Sequence, residues 1–157
     1  MSISNTVYTY LSDHNIHYDL LSHKKTNSSL ETARRAYVDE RHIAKAVVVE
    51  DSKGYAMVVL PAGEWLKLIS LRKTLNRDFK LVAESVLKQL FSDCQAGAIP
   101  PLGQAYHLDT YLDGRLNYLT DVYLEAGDHR HLLHIDRQQF HHLFKGVRHC
   151  HFCHLCH

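Results

Sequence analysis

Ile3, Val7, Tyr10 and Leu11 recur at helical spacing, so the pattern predicts a first helix over residues 3–14. Ile16, Tyr18 and Leu20 then alternate with polar residues, the period-2 signature of a half-buried strand. The polar run Ser22–Asn27 reads as a loop. Ser28 with Glu31 forms a capping box ahead of a helix whose apolar face is Leu30, Ala33, Ala36 and Tyr37.

Residues 43–49 are β-branched and apolar apart from Lys45, and Tyr55–Leu60 is a second such run. Asp51-Ser52-Lys53-Gly54 lies between them as a turn, which predicts a hairpin of two buried strands ended by Pro61. Residues 64–76 read as mostly helical, Phe79–Val82 as a short strand, and Ala83–Phe91 as a helix with Val86, Leu87, Leu90 and Phe91 inward. Gly97–Gly103 carries two prolines between glycines and cannot be regular structure. Strands are predicted at 105–112, 121–125 and 131–135, then a helix capped by Asp136 and ended by Gly146. Hairpin-like strand runs predict a mixed α+β domain with a curved, mostly antiparallel, barrel-like sheet flanked by helices. The expected organisation is one domain over residues 1–146 and a Cys/His-rich tail over 147–157.

The length, 157 residues, suits one domain with a substantial core. No long charge-free stretch predicts a membrane span, and the first residues lack a signal-peptide pattern, so the expected compartment is the cytoplasm. With 18 Lys plus Arg against 17 Asp plus Glu, composition neither supports nor excludes a nucleic-acid partner.

Four places could carry chemistry. Lys45 reads either as an edge-strand lysine facing solvent or as an ammonium projecting into a cleft. The 97–103 loop is either a structural turn or a rigid presenter of backbone N–H groups to an oxyanion. Gly127-Asp128-His129 is either a surface turn or a site for a proton carrier. Cys150, Cys153, Cys156 and His157 in the tail are weaker metal-ligand candidates, with little chain available to close a site. Cys94 follows a helix C-terminal end, which disfavours a thiolate, and is read as structural. Gly-x-Ser-x-Gly, His-Glu-x-x-His and the Walker loop are absent.

Taken in order, Lys45 in its apolar strand, Gly97-Ala98-Ile99-Pro100-Pro101-Leu102-Gly103, and Glu125-Ala126-Gly127-Asp128-His129 resemble the YbaK-type aminoacyl-tRNA deacylases, relatives of the editing domain of bacterial prolyl-tRNA synthetases. Tyr18–His23 and Ser29–Ala33 share the likeness, which runs from about Val7 to about Phe144. The resemblance implies hydrolysis of the ester joining a non-cognate amino acid to tRNA, assisted by the substrate's own ribose hydroxyl, without metal or organic cofactor. It implies Lys45, Gly97, Gly103, Asp128 and His129 as catalytic residues, and His23, Ser29, Ala46, Ile99, Pro100 and Pro101 as substrate-binding ones. The implied partner is mischarged aminoacyl-tRNA, with an aminoacyl-tRNA synthetase as a second; no membrane association and a monomer are expected. Ala46 stands where several alanine-removing relatives carry asparagine, and the loop differs from the Gly-Gly-x-Ser-Pro of some cysteine-removing members, so the amino acid removed is left open. The alternatives are a non-catalytic module that binds tRNA or an aminoacyl analogue, and a metal-binding protein acting through the tail.

Overall fold

The computed structural model describes residues 3–23, 38–150 and 153–154. β2 (Ile43–Asp51) and β3 (Gly54–Pro61) form the predicted hairpin, in register from Ala44 opposite Pro61 to Asp51 opposite Gly54. Valine-rich sequence suits this pair, because branched side chains pack well on a pleated surface. In the turn, Asp51 Oδ1 accepts from the Lys53 N–H at 3.0 Å, and Gly54 takes φ +132°.

The other strands are β1 (Asp19–Ser22), β4 (Trp65–Leu66), β5 (Lys80–Leu81), β6 (Asp109–Asp113), β7 (Asp121–Glu125), β8 (His131–Asp136), β9 (Arg148–Cys150) and β10 (Cys153–His154). The main sheet runs β1-β8-β7-β2-β3-β6-β9, with β5 also on β2, and it is curved and open. β1, β7, β3 and β5 lie antiparallel to their neighbours β8, β8, β2 and β2. Three pairings, β2 with β7, β3 with β6 and β6 with β9, are parallel. β10 pairs with β4 in a separate two-stranded ribbon.

Helices cover both faces. α1 (Asn5–Asp13) starts where Ser4 Oγ accepts from the Val7 N–H at 3.1 Å, and buries Val7 and Leu11. α3 (Glu84–Leu90) leads into buried Phe91, and α4 (Arg137–Leu143), capped by Asp136 at 2.8 Å from the Gln139 nitrogen, buries Phe140 and Leu143. These three pack with Ala44 and Val48 of β2 in the large core. α2 (Leu68–Leu75) instead sets Leu71 and Leu75 against Val49, Val58 and Leu60 in a second core. Successive residues of β2 therefore enter different layers, as a period-2 strand requires.

Several boundaries differ from the sequence pattern, each for a non-local reason. The predicted helix over 64–76 starts at Leu68, because Trp65 and Leu66 are taken up as β4 by β10. The predicted strand over 105–112 starts at Asp109; Gly103–Tyr106 is a 3₁₀ turn that puts Ala105 into the large core. A second 3₁₀ turn, Gly114–Tyr118, follows β6. The chain after Gly146 begins as a sheet strand: Arg148, His149 and Cys150 pair with Tyr111, Leu112 and Asp113. The helix predicted after Ser28 lies outside the described residues. Among those described, no helix is long and apolar enough to cross a membrane.

Gly103 explains how the chain re-enters the sheet. It is buried against β3 and β6, where an added Cβ would overlap Thr110 Oγ1 and stand 2.9 Å from Met57 Cβ. Farther along β3 and β6, Arg77 ties the hairpin end to the sheet. Its Nε and Nη2 each donate to Asp51 at 2.7 Å, Nη1 donates to the Tyr111 hydroxyl at 3.0 Å, and the guanidinium lies 4.3 Å over the Phe79 ring. The Arg77 hydrogen bonds hold the Asp51 carboxyl at about 2.

Two outcomes follow. Gly103→Ala is expected to lower stability by about 1–3 kcal/mol by overpacking, measured by urea unfolding. Because the folded pKa of Asp51 is depressed, its contribution is present above the ordinary carboxylate pKa and is lost as pH falls through about 2. Arg77→Met is therefore expected to be less stable than wild type at neutral pH, with the gap closing between pH about 4 and pH about 2. A gap that stays constant in urea melts across that window would contradict this assignment.

Candidate functional site

The sheet divides along one edge of β2. That edge pairs with β7 only at Ile43 and Ala44 and with β5 only at Val49 and Glu50. Between them, the Val48 carbonyl accepts from the Val82 N–H at 3.3 Å. Lys45 and Ala46 stand where β7 and β2 part. The parallel register, Ile43 beside Tyr123 and Ala44 beside Leu124, sets residue 45 beside Glu125, which is 2% exposed. Lys45 alternates with Ala44 and Ala46, so it leaves the sheet on the face opposite the large core, between the packing of Ile43 and that of Val47. Points where strand partners diverge are where open sheets present ligand crevices.

The loop after α3 approaches from the large-core side. Ala98 N–H donates to the Gln95 carbonyl at 3.0 Å, closing a turn whose third residue is Gly97 at φ +79°. Positive φ at this position is the mark of a type II turn and the reason for glycine there. Ala98, Pro100, Pro101 and Leu102 are buried and Ile99 is half-buried against the large core, so the loop is anchored by its own side chains. Among the described residues, no hydrogen bond takes up the N–H of Gly97 or of Ile99. Two unbonded donors on a braced backbone form a ready acceptor site for negative charge.

The turn after β7 is fastened to this loop. Gln95 N–H donates to the Gly127 carbonyl at 2.7 Å, and His129 Nε2 lies 2.6 Å from the Ala96 carbonyl. A carbonyl only accepts, so His129 Nε2 carries a proton and donates it. His129 is 2% exposed at φ +58°, and its Nδ1 finds no hydrogen-bond partner among the described residues. Gly127, at φ +106°, permits the approach: an added Cβ would stand 3.2 Å from both Cys94 Sγ and Ser4 Cβ. Asp128 braces the turn from within. Its Oδ1 accepts from the N–H groups of Arg130 and His131 at 2.9 and 3.0 Å, and its Oδ2 lies 2.6 Å from His131 Nδ1.

A polar cluster supports the other end of the loop. Asp93 accepts from Ser4 Oγ at 2.6 Å and from the Tyr106 hydroxyl at 3.0 Å, with Cys94 Sγ 3.2 Å from that hydroxyl. Burial raises the Asp93 carboxyl, but hydrogen bonds led by Ser4 outweigh it and hold the group at about 2. Burial pushes the Cys94 thiol up to about 12, so it stays protonated near neutral pH and is no thiolate nucleophile.

The sequence-predicted residues thus fall into groups. Gly97, Ile99, Pro100 and Pro101 lie on the loop that the Gln95–Gly127 and His129–Ala96 hydrogen bonds fasten to the turn of Asp128 and His129; Ala46 packs on the same large-core side, whereas Lys45 leaves β2 on the opposite face. Gly103 lies where the loop packs on β3 and β6. His23 follows β1 and donates its N–H to the Arg130 carbonyl at 2.8 Å, one residue past His129. Ser29, Cys156 and His157 lie outside the described residues, and Cys150 is half-buried beside the second core. Among the described residues, no group of three or more His, Cys, Asp or Glu side chains is arranged to hold a metal. Glu125, Ser4 and Tyr106 were not legible as parts of this region; a buried glutamate ending an apolar strand was the one available signal.

The model of the aminoacyl-tRNA editing domain matches residues 23–143. No curated protein matches the chain. Among solved structures, a candidate trans-editing enzyme for prolyl-tRNA synthetase superposes with TM-score 0.82 at 19% identity, over 96% of each chain. The hypothetical protein APE2540 gives TM-score 0.83 at 20% identity, over 96% of this chain and 100% of that one. A candidate signal transduction protein from Marinobacter aquaeolei contains the same fold in 30% of its length, with TM-score 0.77 and 21% identity over 94% of this chain. At these identities the structures speak for the fold, whereas the family match covers most of the sequence. The chain belongs to the aminoacyl-tRNA editing domain family.

Proposed function

We propose that the protein hydrolyses the ester of a mischarged aminoacyl-tRNA, acting on the free tRNA as a trans-editing deacylase. One observation carries the reading: the Gly97 and Ile99 N–H groups sit on a loop fixed to the 127–129 turn by the Gln95–Gly127 and His129–Ala96 hydrogen bonds. In this reading those donors meet the oxyanion that forms when water attacks the ester carbonyl. Preorganised donors cost no reorganisation as charge develops, and losing one typically costs about 10²–10³ in rate. The aminoacyl ester is already activated, so donors, a positioned water and the substrate's adjacent ribose hydroxyl supply what a catalytic triad supplies elsewhere. Lys45 holds the terminal phosphate or backbone of the tRNA at the parting of β2 and β7. His129 is a positioning residue, setting the loop through the Ala96 carbonyl.

The testing experiment is a panel of mischarged tRNAs given to wild type and Lys45→Ala together. At least one tRNA should be deacylated, and the variant should lose roughly 10²–10³ in kcat/KM with an unchanged circular dichroism spectrum. An intact panel would remove the enzymatic reading. His129→Phe keeps a buried ring but removes the donor to Ala96; kcat should fall by roughly 10²-fold, more than KM rises. Equal losses in kcat and in folding stability would instead mark the histidine as structural.

A further inference from the structure

We propose that the outward face of β4 and α2, centred on Trp65, is a docking platform for the unpaired 3′ end of an RNA. The inference rests on the deacylase reading and adds a second point of contact for the same substrate. Leu66 and Leu68 turn inward against the second core, and Leu71 and Leu75 follow them. The intervening positions turn outward: Trp65 is 71% exposed, Ile69 is 65% exposed, and Lys67 and Lys73 are exposed. Two residues along an extended chain are about 6.6 Å apart, and residues 69 and 73 share one helix face. One nine-residue segment thus exposes an indole, an aliphatic side chain and two ammonium groups.

Charge singles out the occupant. Among the described residues neither lysine has an ion-pair partner, and two of the acids nearby are engaged: Glu64 with Arg115 at 2.9 Å and Asp78 with Arg72 at 3.8 Å. Exposed aromatics beside uncompensated cations suit single-stranded nucleic acid, whose bases stack while its phosphates meet the ammonium groups. Protein interfaces are depleted in lysine, which argues against a protein partner on this face. The position fits as well. α2 covers the sheet face from which Lys45 emerges, and Leu60, the cross-strand partner of Lys45, packs in the same cluster as Leu66, Leu68 and Leu71. A strand crossing this face thus reaches the parting of β2 and β7.

Trp65 is the chain's one tryptophan, so its fluorescence reports the platform alone. The probe is a short, uncharged-with-amino-acid oligoribonucleotide ending in CCA, titrated into the full-length protein, with binding read in parallel from the anisotropy of a labelled copy. Saturable quenching is expected, stronger than with a fully base-paired hairpin. Affinity should fall with salt at a log–log slope of roughly −2.1, as for two phosphate contacts on the platform and one at Lys45. Trp65→Ala should weaken binding about 5- to 100-fold. The Lys67→Ala, Lys73→Ala double variant should bring the slope to roughly −0.7, the contact at Lys45 alone. Absent quenching, equal quenching by the hairpin, or unchanged anisotropy in both variants overturns the platform. Hydrolysis of a mischarged tRNA by the same preparations separates the two readings. Turnover with an unchanged KM in Trp65→Ala removes the platform and keeps the deacylase, whereas quenching without any turnover removes the deacylase and keeps the platform.

Discussion

A nine-residue strand with two short partners on one edge governs the rest of the molecule. β3 follows β2 along its full length, but β7 takes up only its first residues and β5 only its last. Backbone donors and acceptors demand partners, and a sheet interior normally leaves no such interval. Here the interval sits in the best-buried hairpin of the fold, so a break in the ladder is held open by strands that cannot shift. Lys45 occupies that break.

The loop and turn beside the break are rigid for complementary reasons. Prolines and buried apolar side chains fix the loop, while glycines allow two backbone segments to touch: Gly97 turns the chain, and Gly127 leaves room for Cys94 and Ser4. The His129 ring joins them by donating its Nε2–H to the Ala96 carbonyl. Its buried Nδ1 has no hydrogen-bond partner among the described residues, and an unsatisfied buried polar atom costs on the order of 1–3 kcal/mol. Such a cost persists where the surrounding packing over-determines the conformation, which is common at functional sites.

Charged groups tie distant segments together both beside this region and away from it. Arg77 gathers Asp51, Tyr111 and Phe79 at the hairpin end, and Asp93 gathers Ser4, Thr6 and Tyr106 where α1 meets the loop. Both carboxylates are held ionised by donors from elements far apart in the chain. Each therefore pins a non-local contact that apolar packing alone would leave free to slide. The open face of α2, with Trp65 and its lysines, lies outside both networks.

The sequence by itself determined the elements whose cause is local. The hairpin of residues 43–61 follows from branched side chains around an Asp–Gly turn, α1 from the helical spacing of Val7, Tyr10 and Leu11, α4 from Asp136 as its cap, and the 97–103 loop from its prolines. The three motifs carrying the family likeness were equally visible, because each is a short run of residues with a fixed order. Tertiary structure decided what depends on partners distant in sequence. Residues 65–66 became a strand because β10 pairs with them, residues 105–108 left the sheet because Gly103 is pressed against Met57 and Thr110, and residues 148–150 joined β6. Likewise His129 reads in the string as one histidine among 14, and acquires its hydrogen-bond partner only when the Ala96 carbonyl, 33 residues away, is folded against it. Periodicity records which face a residue turns inward, but not which segment will meet it there.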